Sequence, residues 1–438
     1  MKRLLILAYD FPPYVSVGGL RPYAWYKYLK KYGVYPIVIT RQWENKYGNE
    51  LDYIAPSETQ ETIIEETEYG TIIRTPYKPN LANKILLKYG RNKYSFFRKA
   101  ISAFYDSAQY ILNIGPKSCI YRGAKEYLQH NSVDYIIATG EPFVLFKYAS
   151  ELSQKHNIPW IADYRDPWTQ DPNRSRNKLL YWRNSFFEKK YTTNALFATT
   201  VNEYFVSKIK TLVKKDIHII ANGYDPEAIK AVKDIPQQTD KLRFAYVGTI
   251  YKYHPLDSVL DCFNQTVINK QIDNFEINFF GIRDHIGIKK LLKEKYPELK
   301  SFVNIHPKVS NANLLTMLAT QNILLLFNDY SIVGSKIYDY VALQRHILFC
   351  YDNDKEAIVL KQKHFGNEEC TKSPQKEIII TTQAGTIVRN KQHLLELLPN
   401  FHKEFQSGGI NCSTTKQDNF SRETQVELLS NRITTLHN

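Results

Sequence analysis

Short runs of β-branched and aliphatic residues, each followed by a longer stretch of helical spacing, recur along the whole chain and limit what it can fold into. The first series is "RLLILAY" (3–9), "PIVIT" (36–40), "TIIRT" (71–75), "DYIIAT" (134–139), "PWIADY" (159–164), "LFATTV" (196–201) and "IHIIAN" (217–222). A second series comprises "LRFAYVG" (242–248), "FEINFFG" (275–281), "FVNIHP" (302–307), "NILLLFN" (322–328) and "HILFCY" (346–351). These runs are apolar almost throughout instead of alternating with polar residues, as strands buried on both faces require, and the helical stretches supply right-handed crossovers. The expected class is α/β, with a Rossmann-like, doubly wound parallel sheet in each half.

At 438 residues the chain is longer than one hydrophobic core usually serves. The turn-rich, charged stretch "NGYDPEAIKAVKDIPQQTD" (222–240) separates the two series. The expected organisation is a first domain over residues 1–225, a second over 226–409, and a tail over 410–438 whose helical spacing at Val426, Leu429 and Ile433 packs back onto the first. Residues 76–130 are unusually long for a link between core strands and are expected to form a helical insertion.

A hydrophobic share of 43% against 23% charged residues excludes a disordered chain. The N-terminal "MKRLLILAYDFPP" begins like a signal peptide, but its apolar run stops at Asp10, and no later stretch is long enough to span a bilayer. A cytoplasmic protein is expected. Cys119, Cys262, Cys350, Cys370 and Cys412 are scattered and form no C-x-x-C pair, so they read as reduced thiols. The eleven histidines show no ligand spacing, and no protein-bound metal is expected. A formal charge of +14 points to an anionic partner, whether nucleic acid, a phospholipid surface or a phosphorylated small molecule.

In open parallel sheets, ligands sit beyond the carboxyl ends of the strands, and two such domains would face each other across a cleft. The candidate stretches are therefore "DFPPYVSVGGLRPYAW", "TGEP", "RDPW" and "NGYD" in the first half, with "GTIYKYH" and "VGSKIYDY" in the second. Taken with their order along the chain, "GGLRPYAWYKYLKKYGVYPIVIT", "ATGEPF", "IPWIADYRDPWT", "VNEYF", "IIANGYDPE", "FAYVGTIY" and "GSKIYDYVALQRHIL" resemble the family-4 retaining glycosyltransferases of the GT-B fold, particularly those of bacterial surface-polysaccharide assembly. The resemblance runs from about residue 3 to 351. It implies transfer of a sugar from a nucleotide diphosphate to an acceptor hydroxyl, with retention, without a required metal or other cofactor, in capsule, lipopolysaccharide or exopolysaccharide assembly.

On this reading Lys336, with Gly334 and Ser335 at the start of a helix, meets the diphosphate as its charge develops. Asp339, one turn on, accepts hydrogen bonds from the ribose, as the family's glutamate does there. A plain i, i+3 ion pair between Lys336 and Asp339 is the competing reading. Where relatives carry an arginine and a lysine, this chain has Thr249 and His254 with Lys252 beside them, so Lys252 or a protonated His254 becomes the diphosphate candidate. Where relatives carry a further glutamate, Ser331 stands, and Asp329 is out of register. Gly18 and Gly19 let backbone approach a phosphate or sugar, or simply make a tight turn, and Arg21 adds charge on the first helical turn. In "ADYRDPW" Asp163, Arg165, Asp166 and Trp168 either brace the loop through an internal Asp–Arg pair or serve the acceptor. In the second case Asp166 handles its hydroxyl and Trp168 offers a flat face to a sugar, with Glu141 as the competing carboxylate. Asn222 and Gly223 form a surface turn or an interdomain hinge.

Residues 74–126 concentrate basic and aromatic side chains, among them Lys88, Arg91, Lys93, Arg98, Phe96, Phe97, Phe104 and Tyr110. They describe either helices lying on the inner face of an anionic membrane or aromatics in a core beneath a solvated basic face. The alternatives in function are a nucleotide-sugar epimerase of the same fold and a non-catalytic polyanion binder. No recognition-helix, stacking-sheet or zinc motif supports nucleic-acid binding.

Overall fold

The computed structural model describes residues 1–44, 51–170, 177–330, 333–365 and 373–435. Ser331 and Cys370 lie outside them. The chain forms two compact units: Met1–Ala221 with Arg422–Asn438, and Asn222–Ser421. The division thus falls at 221/222 instead of 225/226. The tail is itself divided, with residues 410–421 in the second unit and the helix Arg422–Thr434 in the first.

The first unit holds β1 (Lys2–Leu7), β2 (Val34–Arg41), β3 (Ile63–Glu66), β4 (Thr71–Thr75), β5 (Tyr135–Gly140), β6 (Trp160–Tyr164), β7 (Phe197–Thr200) and β8 (Ile217–Ile219). They form one eight-stranded sheet in the order β3-β4-β2-β1-β5-β6-β7-β8. Every pairing is parallel except the edge pair β3–β4. Both faces of the central strand are sealed: Leu5 and Leu7 enter one apolar cluster, while Leu4 and Ile6 enter another on the opposite face. All four are 0% exposed, so each contributes about 1.5–3 kcal/mol of hydrophobic stabilisation. The unbroken apolar run in the sequence is the direct mark of this double burial.

The second unit holds β9 (Leu242–Val247), β10 (Phe275–Phe280), β11 (Val303–His306), β12 (Ile323–Phe327), β13 (His346–Cys350) and β14 (Gly385–Val388), ordered β11-β10-β9-β12-β13-β14 and parallel throughout. Two strands escape the sequence pattern, β3 at an edge and β14. Each has four residues, and Ile63 and Ile64 of β3 are exposed, so burial leaves no mark on that edge. The carboxyl ends of β1, β5 and β6 in one unit, and of β9 and β12 in the other, carry the candidate site residues.

Candidate functional site

In the second unit the side chains after β9 and β12 converge on Asp329, which follows the end of β12 and is buried. Its Oδ1 takes a hydrogen bond from His254 Nε2 at 2.7 Å and one from the Tyr253 hydroxyl at 3.4 Å. Its Oδ2 takes one from Gln375 Nε2 at 3.1 Å, and its backbone N–H donates to Gln375 Oε1 at 2.7 Å. Lys336 Nζ stands 4.0 Å from Oδ2 and donates to the Tyr246 hydroxyl at 3.0 Å, above the face of the same ring. The Tyr246 hydroxyl in turn donates a hydrogen bond to the Thr249 carbonyl at 2.9 Å. Burial pulls the Lys336 ammonium pKa below its ordinary value, and the Asp329 charge opposes that pull.

This corrects the expected role of His254. Its Nδ1 accepts from the Tyr251 N–H at 3.2 Å, so its one ring proton goes to Asp329. Burial depresses its pKa, with Lys336 adding to the effect and Asp329 opposing it, so the surroundings disfavour the protonated ring expected to anchor a diphosphate. Lys252 is exposed and, with His254, Asp257, Asp284 and Lys355, lines a cavity of about 660 Å³. Gly334 and Ser335 are half-buried and lead into the helix Lys336–Ala342, which also carries the half-buried Asp339. The ammonium of Lys336 is directed to Tyr246 and Asp329. Asn222 and Gly223 open the second unit, and Gly223 sits at φ +66°, the region glycine enters without strain.

In the first unit Arg21, expected to add charge on the acceptor side, and Asp163 and Trp168, expected to serve the acceptor, are interior. Arg21 is 4% exposed and Asp163 0%. The Arg21 guanidinium donates from Nη2 to Asp163 Oδ1 at 2.7 Å, from Nε to both carboxylate oxygens, and from Nη1 to the Ile220 carbonyl at 2.6 Å. Thr199 Oγ1 adds a donor to Asp163 Oδ1 at 2.6 Å. The pair is satisfied, so it braces β6 and β7 against the helix Val17–Tyr28. Trp168 is 2% exposed and stacks between Phe143, at 5.0 Å, and Tyr110, at 5.2 Å, and has no face left for a sugar.

Around these sits a second cluster. Ser16 caps the helix Val17–Tyr28 by accepting the Gly18 N–H at 3.0 Å and donates to Asp10 Oδ2 at 2.7 Å. Arg165 donates to the backbone carbonyls of Gly140 and Glu141, both at 2.8 Å, fixing the loop after β5. A side chain at Gly18 would require Arg165 Nη1 and Asp10 Oδ2 to move aside, and one at Gly19 would come within 3.4 Å of the Asp10 backbone. Glu141 and Asp166 are exposed at the ends of β5 and β6. Asp10 joins them as a carboxylate the sequence reading passed over. Burial raises its pKa, and its Oδ1 has no hydrogen-bond partner among the described residues. The available signal was an acidic residue directly after the first strand, and it was read only as the end of a hydrophobic run. Tyr246 and Gln375 were missed, and Asp329 was set aside as out of register, because a strand, a helix and a loop far apart in the chain bring them together.

No protein-family model and no curated protein sequence matches this chain. Among solved structures it is similar to sucrose-phosphate synthase from Thermosynechococcus elongatus, with a TM-score of 0.60, 13% identity, and coverage of 100% of this chain and 99% of the other. It is also similar to the apo form of the lipopolysaccharide outer core galactosyltransferase WaaB, with a TM-score of 0.54, 11% identity and 99% of each chain covered. The catalytic domain of starch synthase IV from Arabidopsis thaliana, bound to ADP and acarbose, gives a TM-score of 0.51 at 11% identity over 98% and 95% of the two chains. At such identities the likeness establishes the fold: two parallel-sheet α/β domains of the GT-B type.

Proposed function

We propose that this protein is a glycosyltransferase that moves a sugar from a nucleoside-diphosphate donor to an acceptor hydroxyl. The observation that carries the reading is Lys336, an ammonium drawn out of bulk water at the strand ends of the second unit and held by Tyr246 and Asp329. A cation fixed in this way stabilises a diphosphate leaving group as its charge grows, more in the transition state than in the ground state. Sucrose-phosphate synthase, WaaB and the ADP-bound starch synthase share the fold, which supports a nucleotide-linked donor. The ordered motifs support the family-4 retaining type and a place in bacterial surface-polysaccharide assembly in the cytoplasm.

In this reaction the bond between the anomeric carbon and the donor phosphate oxygen breaks, a bond to the acceptor oxygen forms, and the acceptor proton leaves on a donor phosphate oxygen. Lys336 and the exposed Lys252 serve the diphosphate, and Asp339 the ribose. Glu141, Asp166 and Asp10 are the carboxylates of the first unit available to orient the acceptor.

Thermal unfolding in the presence of uridine, guanosine and adenosine diphosphates and their sugars tests the reading. The matching nucleotide at a hundred times its dissociation constant should stabilise the fold by about 2.7 kcal/mol. Lys336→Met should lower transfer by about a hundredfold or more. Near-normal turnover in that variant, or no response to any nucleotide, overturns the proposal. An epimerised sugar formed without acceptor would assign the site to an isomerase.

A further inference from the structure

The apolar layer between the sheet of the first unit and the helix Ser118–His130 runs out at the amino ends of the strands. Leu5 and Leu7 of β1, Ile37 and Ile39 of β2 and Ile73 of β4 belong to that layer. Two residues earlier on the same faces of these strands stand Arg3, Tyr35 and Thr71. With Glu66, the last residue of β3, and with Tyr127 and Asn131 from the carboxyl end of the helix, they line a cavity of about 550 Å³. The carboxylates Asp10, Glu141 and Asp166 stand at the carboxyl ends of strands of this sheet, so the cavity occupies the opposite end.

Within the cavity, Arg3 has donors to spare. Its Nη2 donates to the Tyr127 hydroxyl at 2.7 Å, while its Nε is buried without a hydrogen-bond partner. The neighbouring Asp134 carboxylate is taken up by Lys2 Nζ at 3.1 Å and by the Arg3 backbone N–H at 2.7 Å. On the far side Glu66 is exposed and accepts from the Tyr35 and Thr71 hydroxyls, both at 3.0 Å. A guanidinium with free N–H groups presents a planar fork matched to a carboxylate, a fixed carboxylate such as Glu66 accepts from hydroxyls, and tyrosine rings give apolar surface to ring C–H groups. We propose that this cavity binds a sugar acid, with its carboxylate on Arg3, its hydroxyls on Glu66 and Asn131 and its ring against Tyr35 and Tyr127. A neutral sugar leaves the guanidinium unanswered. Inorganic phosphate brings more negative charge toward Glu66 and nothing to cover the rings. The inference concerns a second site and stands independently of sugar transfer.

Isothermal titration calorimetry with glucuronate as the probe tests it. The wild type should bind glucuronate saturably, and glucose, inorganic phosphate and glutamate at least about tenfold more weakly. Arg3→Gln should weaken glucuronate binding by about tenfold or more, the loss expected for hydrogen bonds to a charged group. Because Arg3 also holds Tyr127, a second variant separates binding from folding. Asn131 is exposed, so Asn131→Asp should leave circular dichroism melting as in the wild type while its added negative charge weakens glucuronate binding. Lys336→Met should bind glucuronate as the wild type does. Loss of binding in that variant would place the sugar acid in the candidate transfer site and overturn the proposal. No saturable binding by the wild type, or glucose, phosphate or glutamate bound as tightly as glucuronate, also overturns it. So does an affinity unchanged in both Arg3→Gln and Asn131→Asp.

Discussion

At the scale of single residues, Asp329 organises its neighbours through partners that sequence spacing does not show. Lys336 was legible from "VGSKIYDY", but spacing along a helix compares a residue with positions three and four away, and there Asp339 stood out. The partner in space lies on the loop after β12, seven residues earlier in the chain. Asp329 is also what raises the His254 pKa against burial and Lys336. His254 should therefore titrate below its ordinary value of 6.5 in the wild type and lower still in Asp329→Asn, as followed by the imidazole proton resonances in NMR. The sign for stability follows from the depressed value. The contribution of His254 is intact above pH 6.5 and is lost as pH falls toward the folded-state pKa, because the unfolded chain takes up its proton first. A His254 resonance at or above 6.5 would show that the ring is not held neutral by its surroundings.

At the scale of elements, the long central strands could be read because double burial writes itself as an unbroken apolar run, whereas β14 and the helix before it could not. "PQKEIIITT" (374–382) is rich in β-branched residues, which favour strands, yet it forms the helix Pro374–Thr382. Ser373 accepts the Lys376 N–H as N-cap, Pro374 occupies the first turn, and Ile378, Ile379 and Thr382 turn inward, so packing and capping override propensity. This helix carries Gln375, which grips Asp329, so part of the candidate site rests on the element least visible in sequence. β14 begins at Gly385, which pairs with Ile347 of β13 so closely that a side chain would strike the Ile347 backbone carbonyl. Gly385→Ala should cost about 1–3 kcal/mol in urea unfolding, because a backbone neighbour cannot rotate away as a side chain can. A cost near zero would mean that β13 and β14 can part without loss.

At the scale of the whole molecule, the chain leaves the first unit at Ala221 and re-enters it at Arg422, and Tyr224 bridges to Ser421 where the two passages run side by side. The returning helix Arg422–Thr434 places Val426, Leu429 and Ile433 in the cluster of Leu4, Ile6, Trp25 and Ile220. It is pinned further by Gln425, which accepts the Ala221 N–H at 2.6 Å, and by Ser430, which donates to the Tyr32 carbonyl at 2.9 Å. Leu429 is 0% exposed, so Leu429→Ala should destabilise the first unit by about 2–5 kcal/mol. All five tryptophans belong to that unit, so their fluorescence should report an earlier transition in the variant. A calorimetric transition that fluorescence does not see should stay where it was, and a single shared shift would mean that the units unfold as one. The same return path sets an order on manufacture. A ribosome adding about 5–20 residues per second must finish the whole of Asn222–Ser421 before the last helix exists. For on the order of ten seconds or more, the nascent first unit waits with the greasy seat of that helix uncovered, a natural berth for a chaperone.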